Sequence, residues 1–222
     1  MKKFLIIAAG GSGNRMKSKV PKQFLLLAAK PALMHSVEVF YNYDKNISII
    51  IALPENQISE WKTLCKKHKF NIPHQIVKGG ETRFHSVRNG LSLITENGIV
   101  AVHDAARPLV NQKTIAACFG TASKQGNAIP VVKLNDSIRE INGNKNFFVD
   151  RNNYRLIQTP QCFQTKILKK AYQQSYDEKF TDDASIVETM GEKINLVEGN
   201  IENIKITTAV DLLIAEGLIS SL

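Results

Sequence analysis

A glycine-rich segment near the start of the chain carries the first residues whose types and spacing suggest chemistry. Residues 8–16 read Ala-Ala-Gly-Gly-Ser-Gly-Asn-Arg-Met and directly follow an apolar run that predicts a strand, Phe4–Ala8. Glycines let the backbone approach a ligand closely and point its N–H groups at anionic oxygens. A turn of this kind after the first strand of a parallel sheet commonly binds nucleotide phosphates. A tight turn without a ligand is the alternative interpretation.

Two well-known phosphate-binding motifs nearly match this segment, and both fail at the same position. The dinucleotide motif G-x-G-x-x-G needs a glycine where the chain has Met16. The P-loop motif needs a glycine directly before Lys17-Ser18, and that position is again Met16. Because the glycine is sterically required in both motifs, neither assignment holds.

Two cations, Arg15 and Lys22, lie within and shortly after the glycine-rich segment. Arginine can bridge two phosphate oxygens, and lysine supplies a compact point charge. The pair predicts a clamp for a triphosphate.

The charge balance agrees with an anionic ligand. The chain of 222 residues has 29 Lys and Arg against 20 Asp and Glu, a formal net charge of +9. Nucleic acid, an anionic membrane surface or a small polyanionic substrate would each suit this excess. Two of the three dense basic clusters fall on predicted helices, where a solvated face is the usual role, and nucleic-acid motifs are absent from the sequence. We therefore favour the small polyanion.

Cysteine usage and apolar runs bear on the compartment. Cys65, Cys118 and Cys162 are widely spaced and form no C-x-x-C pair, so we expect free thiols and no zinc site. The apolar runs, such as residues 4–9, are too short to cross a bilayer, and the N-terminus does not resemble a signal peptide. The expected location is the cytoplasm.

Short apolar runs alternate with helical patterns along most of the chain. The predicted strands cover residues 4–8, 47–53, 76–77, 99–103, 128–132, 194–197 and 204–206. The predicted helices cover residues 32–43, 58–68, 84–94, 114–123, 165–176 and 210–218, the last with Thr207 or Thr208 as its N-cap. This order predicts one α/β domain over residues 1–222, with a mostly parallel sheet and helices on both faces.

The alternation breaks over residues 135–158, which are polar and rich in turn formers. Asn142-Gly143 is a hairpin signal between the segments Ser137–Ile141 and Asn146–Val149. A lone hairpin is not stable in water, so this arm is expected to pack on something else.

Six blocks of sequence, in order, carry a resemblance to a known family. They are residues 8–16 with Pro21-Lys22-Gln23, residues 79–87, residues 102–108, residues 159–161, residues 181–185 and residues 203–207. Together they resemble the 2-C-methyl-D-erythritol 4-phosphate cytidylyltransferases, from residue 8 to residue 207. The resemblance implies a Rossmann-like fold with a protruding β-hairpin arm that forms a homodimer.

The resemblance also implies a reaction. CTP and methylerythritol 4-phosphate would give the CDP-sugar alcohol and pyrophosphate, with Mg²⁺ or another divalent cation as cofactor. The nucleophile is a phosphate monoester that is already anionic at pH 7, so the reaction needs no general base. Catalysis must instead bring two polyanions together and stabilise charge at the α-phosphorus.

Site residues follow from the matching positions. The implied catalytic cations are Arg15, Lys22 and Lys205. The implied nucleotide-binding residues are Ala8, Ala9, Gly10, Gly11, Gly80, Glu81 and Ser86. The implied residues for the sugar phosphate are Asp104, Arg107, Ser137, Arg151, Thr159, Thr181 and Lys205, with Arg151 reaching the neighbouring subunit's site. Asp104 is also the candidate metal ligand.

Several alternatives stay open at this point. Asp104 could merely cap a turn. Arg83 and Arg107 could each be structural ion-pair partners, and for Arg83 this role is favoured over a ligand contact. A ribitol 5-phosphate cytidylyltransferase would share the fold and mechanism. A non-catalytic nucleotide- or RNA-binding module would explain the charge, but not the three cations together with the glycine-rich turn.

Overall fold

A computed structural model describes residues 1–10 and 20–220 of the chain. The strands are β1 Lys2–Ala8, β2 Leu26–Leu27, β3 Lys30–Pro31, β4 Ser48–Leu53, β5 Gln75–Lys78, β6 Gly98–Asp104, β7 Asn127–Lys133, β8 Arg139–Asn142, β9 Lys145–Phe148, β10 Arg155–Ile157, β11 Gln161–Gln164 and β12 Leu196–Glu198. The helices are α1 Ala32–Tyr43, α2 Ile58–Lys67, α3 Arg83–Ser92, α4 Gln112–Gln125, α5 Thr165–Ala171, α6 Asp183–Glu188 and α7 Ala209–Ser220.

The main sheet runs in the order β10-β7-β11-β6-β1-β4-β5, with β12 also paired to β7. The pairs β1–β4, β1–β6, β4–β5 and β7–β12 are parallel, whereas β11 runs antiparallel between β6 and β7. The register places Ala8 beside both Ala52 and Asp104. The carboxyl ends of the three central strands therefore meet at one edge of the sheet.

Helices cover both faces of this sheet. Alternate residues of β1 point to opposite sides, so that Leu5 and Ile7 join one buried cluster and Phe4 and Ile6 join another. The first cluster includes residues of α1, α2 and α4, and the second includes residues of α3, α5 and α6. The predicted α/β class, with its mostly parallel sheet and two helical layers, is confirmed.

Two predicted elements differ in the structure. Helix α5 ends at Ala171 rather than near residue 176, because the chain tightens into turns in which Gln173 and Gln174 donate to carbonyls three residues back. Residues 204–206 are not a strand. Their backbone follows the loop after β6 instead, with the Ile206 N–H donating to the Ala106 carbonyl at 2.8 Å.

Sequence patterns also missed four strands and misjudged most of one helix face. Two of the four strands, β2 and β3, are only two residues long. Strand β10 was hidden in the polar arm segment, and β11 is too short to show a clear alternation. The spacing on α7 predicts that Val210, Leu213, Ile214 and Leu218 form one packed face. The first three are exposed, whereas Leu218 packs in the same cluster as the buried Ala215.

The hairpin within residues 135–158 forms as expected. Strands β8 and β9 pair antiparallel around Gly143, whose φ is 56°, and every residue of both strands is exposed. Within the described residues, no helix combines the length and apolar character that a membrane span requires. Cys65, Cys118 and Cys162 are free thiols, as predicted.

Candidate active site

Loops at the carboxyl edge of the sheet are fixed to one another by backbone hydrogen bonds. The Ala105 N–H donates to the Ala8 carbonyl at 3.2 Å, and the Ala9 N–H donates to the Ala52 carbonyl at 3.0 Å. The Gly79 N–H donates to the Leu53 carbonyl at 2.7 Å. These bonds continue the parallel pairing past the ends of the strands, so the loops start from fixed positions.

A first cavity opens between these loops. Its lining consists of Ala8, Ala9, Gly10, Lys22, Gln23, Glu81, Thr82, Arg83, Ser86, Asp104, Ala105, Ala106 and Lys205. Most of the nucleotide-binding residues predicted from the sequence are therefore brought together. Gly80 is adjacent, bonded to Ser86, while Gly11 and Arg15 lie outside the described residues.

Ser86 fixes the Gly80 loop at this cavity. Its hydroxyl accepts from the Gly80 N–H at 3.0 Å and donates to the Thr82 carbonyl at 3.0 Å. A Cβ at Gly80 would lie only 2.3 Å from the Cβ of His85, so the loop needs glycine there. Thr82 also caps α3 by accepting from the His85 N–H. The single Ser86 proton is thus committed, and a remaining lone pair can face the cavity.

Lys22 reaches the cavity from a short turn that is anchored on both sides. Gln23, which is buried, donates from Nε2 to the Ala9 carbonyl at 2.8 Å. Phe24 stacks on Trp61 with ring centroids 6.1 Å apart. The turn that carries Lys22 is therefore tied both to the end of β1 and to the helical layer.

A second cavity adjoins the first. Its lining consists of Arg83, Asp104, Arg107, Ile157, Gln158, Thr159, Gln161, Thr181, Asp182 and Lys205. Three residues, Arg83, Asp104 and Lys205, line both cavities. The arrangement provides two neighbouring compartments with a carboxylate and two cations at their junction.

Asp104 is held by cations on each of its oxygens. Arg83 Nε lies 3.1 Å from Oδ1, and Lys205 Nζ lies 2.7 Å from Oδ2. Burial alone would raise the pKa of Asp104, but Arg83 and Lys205 outweigh that effect and hold the pKa well below its usual range. The carboxylate is therefore ionised and fixed in orientation. Asp104 is thus more than the cap of a turn, because each of its oxygens forms an ion pair at the site.

Arg83 is the structural ion-pair partner that the sequence favoured. Its Nη2 donates to Asp183 Oδ2 at 2.7 Å, and Asp183 Oδ1 accepts from the Tyr172 hydroxyl at 2.6 Å. Burial would lower the pKa of Arg83, yet Asp183 and Asp104 raise it well above its ordinary value. Arg83 thus connects Asp104 to the start of α6.

Arg107 is held differently, by neutral groups. It donates from Nη1 to the Asn203 carbonyl at 2.6 Å and from Nη2 to the Ile157 carbonyl at 3.4 Å. Burial lowers the pKa of Arg107, although Asp104 opposes this change. Within the described residues it forms no ion pair, and its buried Nε has no hydrogen-bond partner. In the described part of the chain no carboxylate lies within ion-pair distance of its guanidinium, so this group can pair with a bound anion.

The two threonines predicted for the sugar phosphate lie on the second cavity but differ in exposure. Thr159 is buried and accepts from the Asp104 N–H at 3.1 Å, whereas Thr181 is exposed. The loop after Thr181 is anchored by Gln161, which donates to Asp182 Oδ2 at 2.7 Å and accepts from the Ala184 N–H at 2.9 Å.

The arm residues Ser137 and Arg151 are exposed and line neither cavity of their own chain. Arg151 donates to the carbonyl of Asn135, which fixes its side chain at the base of the arm. Any contact of these residues with substrate must therefore come from another subunit or from a movement of the arm.

Comparison with known proteins assigns the family. The model of the IspD family, 2-C-methyl-D-erythritol 4-phosphate cytidylyltransferase, matches residues 4–221. The chain belongs to this family. A relative named as that enzyme in Phocaeicola vulgatus is 48% identical over 219 residues, covering 99% of this chain and 100% of the relative. One from Bacteroides fragilis is 49% identical, covering 96% and 98%.

Solved structures of family members have the same fold. The Thermus thermophilus enzyme superposes with a TM-score of 0.81 at 28% identity, covering 99% of this chain and 100% of that one. The 4-diphosphocytidyl-2C-methyl-D-erythritol synthase of Anaerococcus prevotii gives a TM-score of 0.84 at 25% identity, with 99% and 98% coverage. The chain is therefore a nucleotidyltransferase with the Rossmann-like fold of this family.

Sequence reasoning missed the residues that hold the site residues in place. They are Gln23, His103, Gln161, Asp183 and Asn203, each buried and each bonded to a residue of the site or to the loop that carries one. All five lie inside the sequence blocks that carry the family resemblance, next to or near residues with assigned roles. Their position close to the assigned residues was the one sequence signal that could have identified them as part of the site.

Proposed function

We propose that this chain joins CTP and 2-C-methyl-D-erythritol 4-phosphate to form 4-diphosphocytidyl-2-C-methyl-D-erythritol and pyrophosphate, a step of non-mevalonate isoprenoid biosynthesis. The observation that carries the proposal is the pair of cavities that meet at Arg83, Asp104 and Lys205. The cavity with the glycine loops receives CTP. The cavity with Arg107 and Thr181 receives the sugar phosphate.

The chemistry at the junction depends on positioning and charge. The phosphate monoester of the sugar substrate attacks the α-phosphorus of CTP, and the bond from that phosphorus to the departing pyrophosphate breaks. Lys22, Lys205 and Arg15 stabilise the charge on the phosphates, because preorganised cations act most strongly where charge develops. Asp104 binds the hydroxyls of the sugar alcohol and keeps Lys205 at the junction.

Ser86 provides a physical basis for the choice of cytosine. Its only proton is donated to the Thr82 carbonyl, so toward a base it can act only as an acceptor. The exocyclic amino group of cytosine is a donor, whereas uracil has an acceptor at the same position. A site that accepts from the base at that point therefore favours CTP over UTP.

A divalent cation, most simply Mg²⁺, enters with CTP. Within the described residues, no cluster of three or more His, Cys, Asp or Glu could form a protein cage. Mg²⁺ usually binds substrate phosphates with one or two carboxylates, and Asp104 is the carboxylate at the junction, with both oxygens already bonded to cations. When bound, the ion would neutralise phosphate charge. Full turnover in excess EDTA would contradict this assignment.

The arm provides the basis for a homodimer. Ile141, Phe147, Phe148 and Leu156 expose between 47% and 78% of their surface, an unusual amount for large apolar residues in one segment. We infer that residues 135–158 of the single nucleotidyltransferase domain pair with a second copy around a two-fold axis, the commonest symmetry of oligomers. Arg151 and Ser137, which line neither cavity of their own chain, then reach the partner's sugar-phosphate cavity.

The reaction is tested by pyrophosphate release from CTP with each of two acceptors. Methylerythritol 4-phosphate should support turnover, and ribitol 5-phosphate should support little. Preference for ribitol 5-phosphate would transfer the assignment to the related cytidylyltransferase. Binding of CTP without turnover of either acceptor would favour a non-catalytic module. Replacing CTP with UTP in the same assay tests the role of Ser86.

The contribution of Arg151 in trans is tested by subunit mixing. An Arg151→Ala protein and a Lys22→Ala protein, each nearly inactive, are allowed to exchange subunits. About half of the dimers are then hybrids, and each hybrid has one site without either substitution. Activity should rise toward roughly a quarter of wild type. A fully exchanged mixture without recovery, or a monomeric enzyme, would exclude the trans arrangement.

A further inference from the structure

A closed ring of hydrogen bonds lies behind the second cavity. His103 Nε2 lies 2.9 Å from the Arg107 carbonyl, and His103 Nδ1 lies 3.0 Å from the Thr159 hydroxyl. The Thr159 carbonyl accepts from Asn203 Nδ2 at 2.8 Å. The Asn203 carbonyl accepts from Arg107 Nη1 at 2.6 Å, which closes the ring. The ring joins three separate segments of the chain.

The chemistry of the partners fixes the direction of each bond. A carbonyl can only accept, so His103 Nε2 carries a proton and donates to Arg107. In a neutral imidazole Nδ1 is then a lone pair that accepts from the Thr159 hydroxyl. The Thr159 oxygen is left to accept from the Asp104 N–H, as observed at 3.1 Å. His103 therefore determines the orientation of a hydroxyl that holds Asp104.

His103 cannot contact a substrate itself. Its exposed fraction is 0%, and it lines neither cavity. Its two bonds end on Arg107 and Thr159, which both line the second cavity and not the first. An effect of His103 on the reaction must therefore pass through the sugar-phosphate side.

We propose that His103 is a positioning residue, which sets Arg107 and Thr159 for the sugar phosphate through this ring. The inference rests on the proposed function for the identity of the ligand, but the ring itself does not. A half-buried arginine that forms no ion pair is free to reorient unless neutral groups hold it. The ring supplies that restraint, since one bond fixes the Arg107 backbone and another fixes its guanidinium.

The experiment compares three substitutions of His103. His103→Phe keeps a ring and removes both bonds, His103→Asn retains an acceptor near Nδ1, and His103→Gln retains a donor near Nε2. We expect His103→Phe to raise KM for the sugar phosphate about tenfold, the effect of losing one or two buried hydrogen bonds. KM for CTP should change less than about twofold, and the two amide variants should lie between His103→Phe and wild type.

Phe40→Leu is the matched control for packing. Phe40 meets the His103 ring edge-on at 5.0 Å but does not belong to the hydrogen-bonded ring. It should lower the melting temperature without changing the ratio of the two KM values. Equal changes in both KM values for His103→Phe, or none, would overturn the proposal.

A measurement on the wild-type protein covers the case in which His103→Phe does not fold. The ¹⁵N chemical shifts of the imidazoles, assigned by the loss of one signal set in His103→Asn, should show Nε2 protonated and Nδ1 bare. The opposite tautomer would contradict the ring even if the enzyme is active. If the wild type turns over neither acceptor, the proposed function fails, and the tautomer still decides the ring.

Discussion

The two cavities that meet at Asp104 are built from different kinds of groups. The first is lined largely by backbone and small side chains at the ends of strands, such as Ala8–Gly10 and the loop at Gly80. The second is lined by long polar side chains, such as Arg107 and Gln158, whose positions depend on hydrogen bonds from other segments. The sheet itself fixes a cavity wall that is built from backbone. A wall that is built from long side chains needs further hydrogen bonds to hold those side chains in place, which we call its bracing.

This difference predicts how each side responds to substitution. A change on the nucleotide side should act locally and mainly by steric exclusion. A change behind the sugar-phosphate side should act at a distance, through residues that never touch the ligand. The cations at the junction serve both sides, so their loss should have the largest effect.

Lys22→Ala and Arg15→Ala should each lower kcat by ~10²–10³, the usual cost of losing one preorganised charge partner of a transition state. Steady-state kinetics with both substrates, together with thermal melting, measures the effect. The melting temperature should change little, because Lys22 lies on a short turn at the cavity rather than in the core.

Lys66→Ala is the control for a general loss of positive charge. Lys66 is an exposed lysine on α2 that lines neither cavity. Its substitution should leave kcat unchanged. Activity of Lys22→Ala within tenfold of wild type, with folding intact, would contradict the shared role of the junction cations.

The sequence predicts the backbone-built first cavity better than the side-chain-built second one. Local sequence is enough to predict the glycine-rich turn, Lys22 and Asp104, because each belongs to a motif at or shortly after the end of a strand. The hydrogen bonds that hold the second cavity's side chains in place cannot be predicted in this way. Asn203 and Thr159, for example, are 44 positions apart, and nothing in the local sequence of either predicts their bond. Arg83 is intermediate: an ion pair was expected, but its partners Asp104 and Asp183 were not.

The fold shows the same limit. Helix α1 was predicted with the bounds that the structure has, because its apolar spacing is local information. Residues 204–206 were predicted as a strand for the same local reason, and wrongly. Their apolar side chains serve contacts with the loop after β6 and with α7, which depend on the tertiary structure.

The bracing on the sugar-phosphate side should make stability depend on pH. Burial lowers the pKa of His103 to about 4, against an ordinary value of 6.5. Between those values the unfolded chain binds a proton at His103 and the folded chain does not, so stability falls as pH falls from 6.5 to 4. The loss amounts to about 3 kcal/mol over this window.

Urea unfolding at several pH values measures this slope, with His103→Gln as the comparison. The variant should lose stability less steeply between pH 6.5 and 4. His35, whose pKa burial also lowers, contributes equally to both proteins and cancels. Parallel pH profiles would show that His103 is not held neutral by the fold.

The smallest predicted effect isolates the backbone-built side. Gly80→Ala would bring a Cβ to 2.3 Å from His85 Cβ, and the Gly80 loop must shift to relieve the clash. Because Ser86 is bonded to that loop and lines only the first cavity, KM for CTP should rise about tenfold while KM for the sugar phosphate stays within about twofold.

Gly120→Ala, on the exposed side of α4 with nothing within 4 Å, is the control. It should leave both KM values unchanged and stabilise the protein by about 0.5–1 kcal/mol, since alanine is the better helix former. If Gly80→Ala raised both KM values together, the two walls would be coupled through the junction, and the separation between a backbone-built and a side-chain-built cavity would be lost.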